Sequence, residues 1–306
     1  MMASRARHAL QTLLEDRVKF DVPMSRKTSL RVGGPADALA TPRNREEMVA
    51  LLELCRQHHL PRTWLGAGFN LLIQENGLDG VVVCTKKLRR LEARPGPTVF
   101  AECGVSHASL TRFCVEHGLA GLEFGAGIPG TIGGWMAMNA GIGDREQKDV
   151  VLEVETLSAE TSETQILRRE ALGFGYRSCA GLEQGAVALS TLFEVTAADP
   201  GQVKAEVDRL LGARQTSQPL DVPSCGSVFR NPEGDYAGRL IEQAGLCGER
   251  LGGAEISRRH ANFIVNRGGA TADDVLGLID RARRAVRTMA GIELQTEVRI
   301  LGRMSE

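Results

Sequence analysis

The sequence has no pair of cysteines at the C-x-x-C spacing of a zinc or redox site; its seven lie at positions 55, 84, 103, 114, 179, 225 and 247. An odd count of scattered thiols reads most simply as free, buried or partly buried cysteines in a reducing compartment. Metal-binding patterns are missing too. The six histidines form no H-E-x-x-H and no clustered His/Asp set, so no metal is expected and structural roles are expected for all of them. Charge of one sign is lacking: 37 basic residues against 38 acidic ones leave a net charge of −1. That excludes a large electrostatic commitment to nucleic acid or to acidic membranes. No apolar run is long enough to span a bilayer, and Glu15, Asp16 and Arg17 interrupt Leu10–Leu14 before a signal-peptide core forms. The expected location is the cytoplasm, with no membrane insertion. Internal repeats and low-complexity tracts are absent. Two familiar motifs fail as well. Cys225–Phe229 lacks the second glycine of a G-x-S-x-G elbow, and Gly66-Ala67-Gly68 lacks the third glycine of a Rossmann fingerprint, because Leu71 stands in its place.

What is present is an ordinary soluble composition, 42% hydrophobic and 25% charged, in 306 residues, enough for two or three domains. Residues 1–20 read as a short amphipathic helix with Leu10, Leu13 and Leu14 on one face. Gly33-Gly34-Pro35 signals a turn. A helix is expected over Glu46–His58, and Val81-Val82-Val83 reads as a buried strand, so the N-terminal part is a compact α/β unit. Ser106 caps a helix that ends at Gly118. Strands are expected at 150–157, 164–168 and 187–195, and a helix at 202–212 leads to a domain boundary near Gln218-Pro219. The last third carries a helix near 237–244, a strand at Phe263–Val265 and the clearest helix of all, about 272–290. There Val275, Leu278, Ile279, Ala282, Val286 and Met289 recur every three to four residues behind the capping-box spacing of Thr271 and Asp274. Arg281, Arg283, Arg284 and Arg287 read as its solvated face. Ile292–Ile300 alternates strictly and reads as a final strand, with Glu297 on the polar, solvent-facing side.

Four segments could carry chemistry. Residues 125–142 hold six glycines and one proline, more than a connection needs, and would let the backbone approach a flat ring or a pyrophosphate. A structural bend is the competing reading. Ser224–Pro232 places a hydroxyl (Ser227), a cation (Arg230) and an amide (Asn231) beside Gly226, although a serine near glycine ordinarily bonds its local backbone. Arg177, in Phe174-Gly175-Tyr176-Arg177, could pair with a carboxylate, or sit in an internal salt bridge. Gly66–Leu71 could bring backbone N–H groups to a pyrophosphate, or form a plain tight turn.

Taken in order, the segments Thr28–Asp37, Leu65–Leu72, Gly121–Gly141, Phe174–Arg177, Gln218–Pro232, Ala237–Leu246, Gly252–Asn266 and Leu294–Gly302 resemble the UDP-N-acetylenolpyruvoylglucosamine reductase family, from about residue 20 to the C-terminus. The resemblance implies an α+β fold: a two-part FAD-binding domain of the vanillyl-alcohol-oxidase/PCMH type, at 1–85 and 86–212, and a C-terminal α+β substrate domain at 213–306. It implies non-covalent FAD, NADPH as co-substrate and UDP-N-acetylglucosamine enolpyruvate as the compound reduced, with a monomer as the working state. The short stretch from Arg177 to Arg214 resembles the branch of the family without an extra tyrosine loop. By the same resemblance Arg177, Ser227 and Glu297 are catalytic. Gly66, Ala67, Gly68, Phe69, Asn70, Leu71, Gly127, Ile128, Pro129, Gly130, Thr131 and Gly133 hold the cofactor, and Arg214, Gln218 and Asn231 hold the substrate's diphosphate side. Two positions depart from the pattern. Phe69 stands where the family commonly has serine, which could remove a hydrogen bond of roughly 1 kcal/mol. Trp135 replaces a small residue, and its ring would either crowd the glycine turn or pack outward. A flavin oxidase of sugars or alcohols, and a non-catalytic nucleotide-sugar-binding relative, are the competing functions.

Overall fold

The computed structural model describes residues 2–182 and 185–303. The chain divides into two units: Met1–Phe20, Ala38–Ala67 and Gly80–Arg214 form the first; Asp21–Asp37, Gly68–Asp79 and Gln215–Glu306 form the second.

In the first unit, helix α1 (Ser4–Leu14) packs on α2 (Arg45–Gln57). Leu10 and Leu14 of α1 and Met48, Leu51, Leu52 and Cys55 of α2 are fully buried, each large side chain contributing about 1.5–3 kcal/mol by leaving water. α2 begins where the Asn44 side chain accepts the Glu47 N–H, satisfying one of the helix's unpaired donors. α1 ends at Leu14 rather than near residue 20, because Glu15 turns to φ +54 and the chain enters the strand Val18–Pro23. That strand belongs to a sheet ordered Val18–Pro23, Pro35–Ala40, Leu78–Cys84, Arg62–Leu65, whose last pair is parallel and whose Val81, Val82 and Val83 are buried. A five-stranded antiparallel sheet follows, ordered Thr164–Arg168, Val151–Leu157, Val187–Glu194, Thr98–Glu102, Leu91–Arg94. Three helices accompany it: α3 (His107–Glu116), α4 (Ile132–Ala137) and α5 (Pro200–Ser217). Ser106 caps α3 by accepting the Ser109 N–H, and α5 outruns the expected 202–212 at both ends.

The second unit is built on an antiparallel sheet ordered Ser224–Ser227, Phe263–Asn266, Ala254–Ile256, Arg250–Leu251, with α6 (Ala237–Gln243) and α7 (Ala272–Ala290). α7 carries the expected capping box, and Gly291 closes it at φ +70, returning its N–H to the Arg287 carbonyl at 2.9 Å. Val275, Leu278, Ile279, Ala282 and Val286 face the core together with Leu30, Val32 and Leu72 from the earlier segments of the unit. The expected strand over 292–300 is corrected: only Arg299–Leu301 pairs as a strand, in parallel with Leu71–Ile73. Leu294 and Val298 are buried as the alternation requires, but their backbone neighbours are loop residues. The Arg230 N–H donates to the Gln295 carbonyl at 2.9 Å and the Glu297 N–H to the Val228 carbonyl at 2.8 Å.

Candidate active-site segments

In the first unit the glycine-rich segment lies along the start of α3. Ser106 bridges Thr131, the His107 N–H donates to the Gly130 carbonyl at 3.2 Å, and the Ile132 N–H donates to the Val105 carbonyl at 3.0 Å. Gly127 and Gly130 hold φ +78 and +120, conformations that L side chains rarely adopt, so glycine is required there for its backbone. Gly66 is required for space. A β-carbon on it would stand 2.4 Å from the Thr131 hydroxyl oxygen, which is buried and has no hydrogen-bond partner. A buried hydroxyl without a partner beside two backbone turns free of side chains is a cradle suited to a flat, polar-edged ligand. Arg214, at the end of this unit, packs its side chain against Gly127, with Cδ 3.2 Å from where a β-carbon would sit. Burial lowers its guanidinium to about 10, so it remains a cation at neutral pH.

Trp135 neither crowds the glycine turn nor packs outward. It is 2% exposed and stacks on His107 with ring centroids 3.7 Å apart. The space it uses belongs to Gly125, whose β-carbon would lie 2.0 Å from the indole Cη2 and 2.6 Å from His107 Nε2. Burial, and after it the charge of Arg214, push His107 down to about 3, leaving the imidazole neutral.

Arg177 occupies the tip of a two-residue hairpin turn between Phe174–Gly175 and Ser178–Cys179. Its backbone is at φ +56, sparsely populated for a side chain of this size. Its guanidinium donates to Glu146 Oε1 at 3.3 Å and to the Gly141 carbonyl at 3.4 Å.

Ala67, Ile128, Pro129 and Gly133 also lie in the first unit, whereas Gly68–Leu71, Gln218, Ser227, Asn231 and Glu297 belong to the second. Gly68 is at φ +79, and a β-carbon there would meet the Lys27 carbonyl oxygen at 2.0 Å. Asn70 follows at φ +56; its N–H donates to the Cys225 carbonyl at 3.2 Å and its side-chain amide to the Glu297 carbonyl at 3.3 Å. Phe69 between them is 38% exposed, and Leu71 is buried at the start of its strand. Ser224 pairs with Val265 but Ser227 with Phe263, so one strand holds an extra residue: a bulge where Gly226 turns at φ +85. The bulge re-aims Ser227. Val228 accepts the Glu297 N–H on one side and donates its own N–H to the Asn262 carbonyl at 2.8 Å on the other. Glu297 is thereby tied through its backbone to Val228, the residue that follows Ser227. Glu297 is half-buried rather than solvent-facing, because its backbone is tied to this loop and not to a sheet edge. Cys225 beneath is pushed up to about 12, chiefly by burial, and is an inert thiol. Gln218 is half-buried with its carbonyl accepting from Arg259 at 3.1 Å; Asn231 is exposed and its side-chain oxygen accepts the Ala237 N–H at 3.1 Å, at the start of α6.

Three positioning residues escaped the sequence reading. Asn262, 4% exposed, clamps Phe229 by exchanging hydrogen bonds at 2.9 and 2.8 Å. Glu146 accepts from Arg177, and Asn139 donates to Glu146 and to the Gly175 carbonyl. The only signals for Asn262 and Asn139 are their places in the segments Gly252–Asn266 and Gly121–Gly141; Glu146 lies 31 residues before Arg177 and outside every such segment. No group of three or more His, Cys, Asp or Glu side chains able to hold a metal ion occurs among the described residues, and no described helix is long and apolar enough to cross a membrane.

Two family models match the chain: an FAD binding domain over residues 36–166, and the UDP-N-acetylenolpyruvoylglucosamine reductase C-terminal domain over residues 218–301. UDP-N-acetylenolpyruvoylglucosamine reductase of Geobacter sulfurreducens is 42% identical over 301 residues, 98% of this chain and 99% of that one. The Clostridium perfringens protein of the same name is 40% identical over 289 residues, 94% of each chain. Among solved structures, UDP-N-acetylenolpyruvylglucosamine reductase from Thermus caldophilus superposes with a TM-score of 0.81 at 33% identity, covering 93% of this chain and 98% of that chain. An alkyldihydroxyacetonephosphate synthase shares the fold of part of the molecule, with a TM-score of 0.51 at 19% identity over 64% of this chain and 41% of that one.

Proposed function

The chain belongs to the UDP-N-acetylenolpyruvoylglucosamine reductase family and is an FAD-dependent oxidoreductase that forms UDP-N-acetylmuramate, a peptidoglycan precursor; on that premise we propose that Arg177, Ser227 and Glu297 carry its chemistry and that NADPH is its reductant. Bound FAD would supply hydride transfer from the nicotinamide to the terminal enolpyruvyl carbon. Arg177 pairs with the substrate carboxylate and stabilises the negative charge that builds beside it, which Glu297 would assist as the protonated acid, donating a hydrogen bond. Ser227 donates a proton to the adjacent carbon. A serine hydroxyl is a weak acid, so placement must compensate for acidity. The observation that supports this assignment is the bulge at Gly226, together with the 2.8 Å hydrogen bond from the Glu297 N–H to the carbonyl of Val228, the residue after Ser227.

For the cofactor, the unpartnered Thr131 hydroxyl, the missing side chain of Gly66 and the backbone turns at Gly127 and Gly130 support a cradle completed by Ala67, Ile128, Pro129 and Gly133; Gly68, Phe69, Asn70 and Leu71 are assigned to the cofactor by the family resemblance alone. Arg214 would bind a diphosphate, and its contact with Gly127 supports the cofactor's rather than the substrate's. Gln218 and Asn231 remain on the substrate side. A boundary near residue 86, between the sheet ending at Cys84 and the one beginning at Leu91, would separate the two parts of the flavin-binding region. Cytoplasmic residence is supported by seven free thiols.

An anaerobic titration followed at the flavin absorbance band tests the whole reading. NADPH should bleach the band and UDP-N-acetylglucosamine enolpyruvate should restore it. Bleaching without restoration would overturn the substrate assignment. Oxygen consumption with a free sugar or alcohol, without NADPH, would replace the reductase with an oxidase.

A further inference from the structure

Arg177 is held by more than its own hairpin. Asn139 is fully buried, at φ +40, and its amide donates both to Glu146 Oε2 at 2.9 Å and to the Gly175 carbonyl at 3.0 Å, in the strand that leads into the Arg177 turn. Its carbonyl accepts the Lys148 N–H at 3.0 Å. Asn139 thus fastens the segment carrying Glu146 to the hairpin carrying Arg177. Glu146 is fixed from other directions as well: Lys148 Nζ lies 3.0 Å from Oε2, and its backbone N–H donates to Asp149 at 2.8 Å within a reciprocal capping box. Its other oxygen receives Arg177 Nη1, while Nη2 goes to the Gly141 carbonyl, so the plane of the guanidinium is set by two acceptors on one short hairpin. Both side chains are mostly withdrawn from water, at 13% and 18% exposure, where a charge pair is felt more strongly than on the surface. The strained φ of Arg177 persists only because its surroundings over-determine it.

We infer that Glu146 is the positioning carboxylate for Arg177: it fixes the guanidinium in advance in the orientation that receives the substrate's carboxylate, with Asn139 as the brace for both. This rests on Arg177 acting on the substrate. A long, rotamer-rich cation gains most from being ordered before the substrate arrives. Glutamine at 146 keeps an oxygen that can accept from Asn139 and from the backbone, so Glu146→Gln removes the charge and leaves the scaffold.

The test separates the two half-reactions by anaerobic rapid mixing of FAD-loaded protein. Glu146→Gln should leave flavin content and reduction by NADPH unchanged and slow reoxidation by UDP-N-acetylglucosamine enolpyruvate about 10²-fold, the scale of a misplaced catalytic group. Glu146→Asp should recover part of that loss, and Glu146→Gln with Arg177→Gln should be no slower than Arg177→Gln alone. Reoxidation at the wild-type rate in Glu146→Gln, while Arg177→Gln is slow, would overturn the positioning role and leave the catalytic one. Multiplicative losses in the double variant would overturn it too. Wild-type reoxidation in Arg177→Gln would remove the catalytic role and the inference together. If Glu146→Gln loses its flavin, the same comparison of half-reactions in Glu146→Asp decides, with equal slowing of both overturning the proposal.

Discussion

Adding one methyl group at Gly125 should have opposite consequences depending on residue 135. In the wild-type chain the new β-carbon of Gly125→Ala meets the indole at 2.0 Å and His107 Nε2 at 2.6 Å, far inside contact distance. Gly125 is absent from the residues of positive φ, so alanine adopts its backbone without strain and the penalty is steric alone. Overpacking of this kind costs about 1–3 kcal/mol. Trp135→Ala by itself should cost about 3–5 kcal/mol, through lost burial and the cavity it leaves against His107 and Phe124. In that background the alanine methyl enters emptied space, His107 has room to turn, and the substitution should stabilise by about 0.8 kcal/mol, the value of one buried methylene. The two sites should therefore couple by about 2–4 kcal/mol. Urea unfolding of the four FAD-free proteins, followed by far-UV circular dichroism, measures the coupling without relying on the tryptophan signal. Flavin affinity should follow the same pattern, because Trp135 supports the segment that carries Gly127 to Thr131. A penalty for Gly125→Ala that agrees within about 0.5 kcal/mol in both backgrounds would refute the reasoning, since independent sites add to that tolerance.

Other outcomes follow from the same geometry. Gly66→Ala should push against the Thr131 hydroxyl and raise the dissociation constant for FAD about 10-fold in a fluorescence-quenching titration, with little change in unfolding midpoint; unchanged affinity would remove Gly66 from the cradle. Phe69→Ser, at an exposed site, should shift stability by no more than about 0.5 kcal/mol and tighten FAD by up to about 5-fold, roughly one hydrogen bond. His107 is depressed from 6.5 to about 3, so the unfolded chain takes up its proton before the folded one does. The stability it permits is whole above pH 6.5 and declines as pH falls toward 3, by up to about 1.4 kcal/mol per unit. His107→Phe, which retains the stack on Trp135, should flatten the urea midpoint between pH 6.5 and 4.5, and an identical slope would refute the assignment.

Much of the fold is legible where burial and hydrogen bonding repeat together. α7 is the clearest instance: its three-to-four-residue period and its Thr271–Asp274 box give both face and starting point. Where they part company the pattern misleads. Leu294 and Val298 are buried at strand spacing, yet the bonds of that segment go to the Arg230 and Val228 backbone, and alternation alone records burial but not a ladder. α1 was overextended because nothing in Leu14–Arg17 announces the positive φ of Glu15. For the site, glycine requirements at 68, 127 and 130 follow from backbone geometry that glycine itself advertises, and that at 66 from the close approach of Thr131. Glu146, Asn139 and Asn262 could not be found that way. An acid bonding a side chain 31 residues distant, or an amide bonding backbone 36 or 33 residues distant, leaves no local periodicity, only a contact made when the chain has folded.

The order in which the chain contributes to the second unit bears on how that unit can be made. Residues 21–37 and 68–79 emerge early from the ribosome, but the helix and sheet that cover Leu30, Val32 and Leu72 come only after residue 214. Their apolar surface must wait through the synthesis of 135 residues of the other unit, from Gly80 to Arg214. A fragment beginning at Gln215 would hold every strand of the four-stranded sheet and still lack both Leu72 for its core and Leu71–Ile73, the partner of Arg299–Leu301. Truncation at the family boundary near residue 218 should thus yield an aggregating piece rather than a stable domain. Circular permutation that joins the early segments to the late ones is the rearrangement that would let this unit close as it is synthesised.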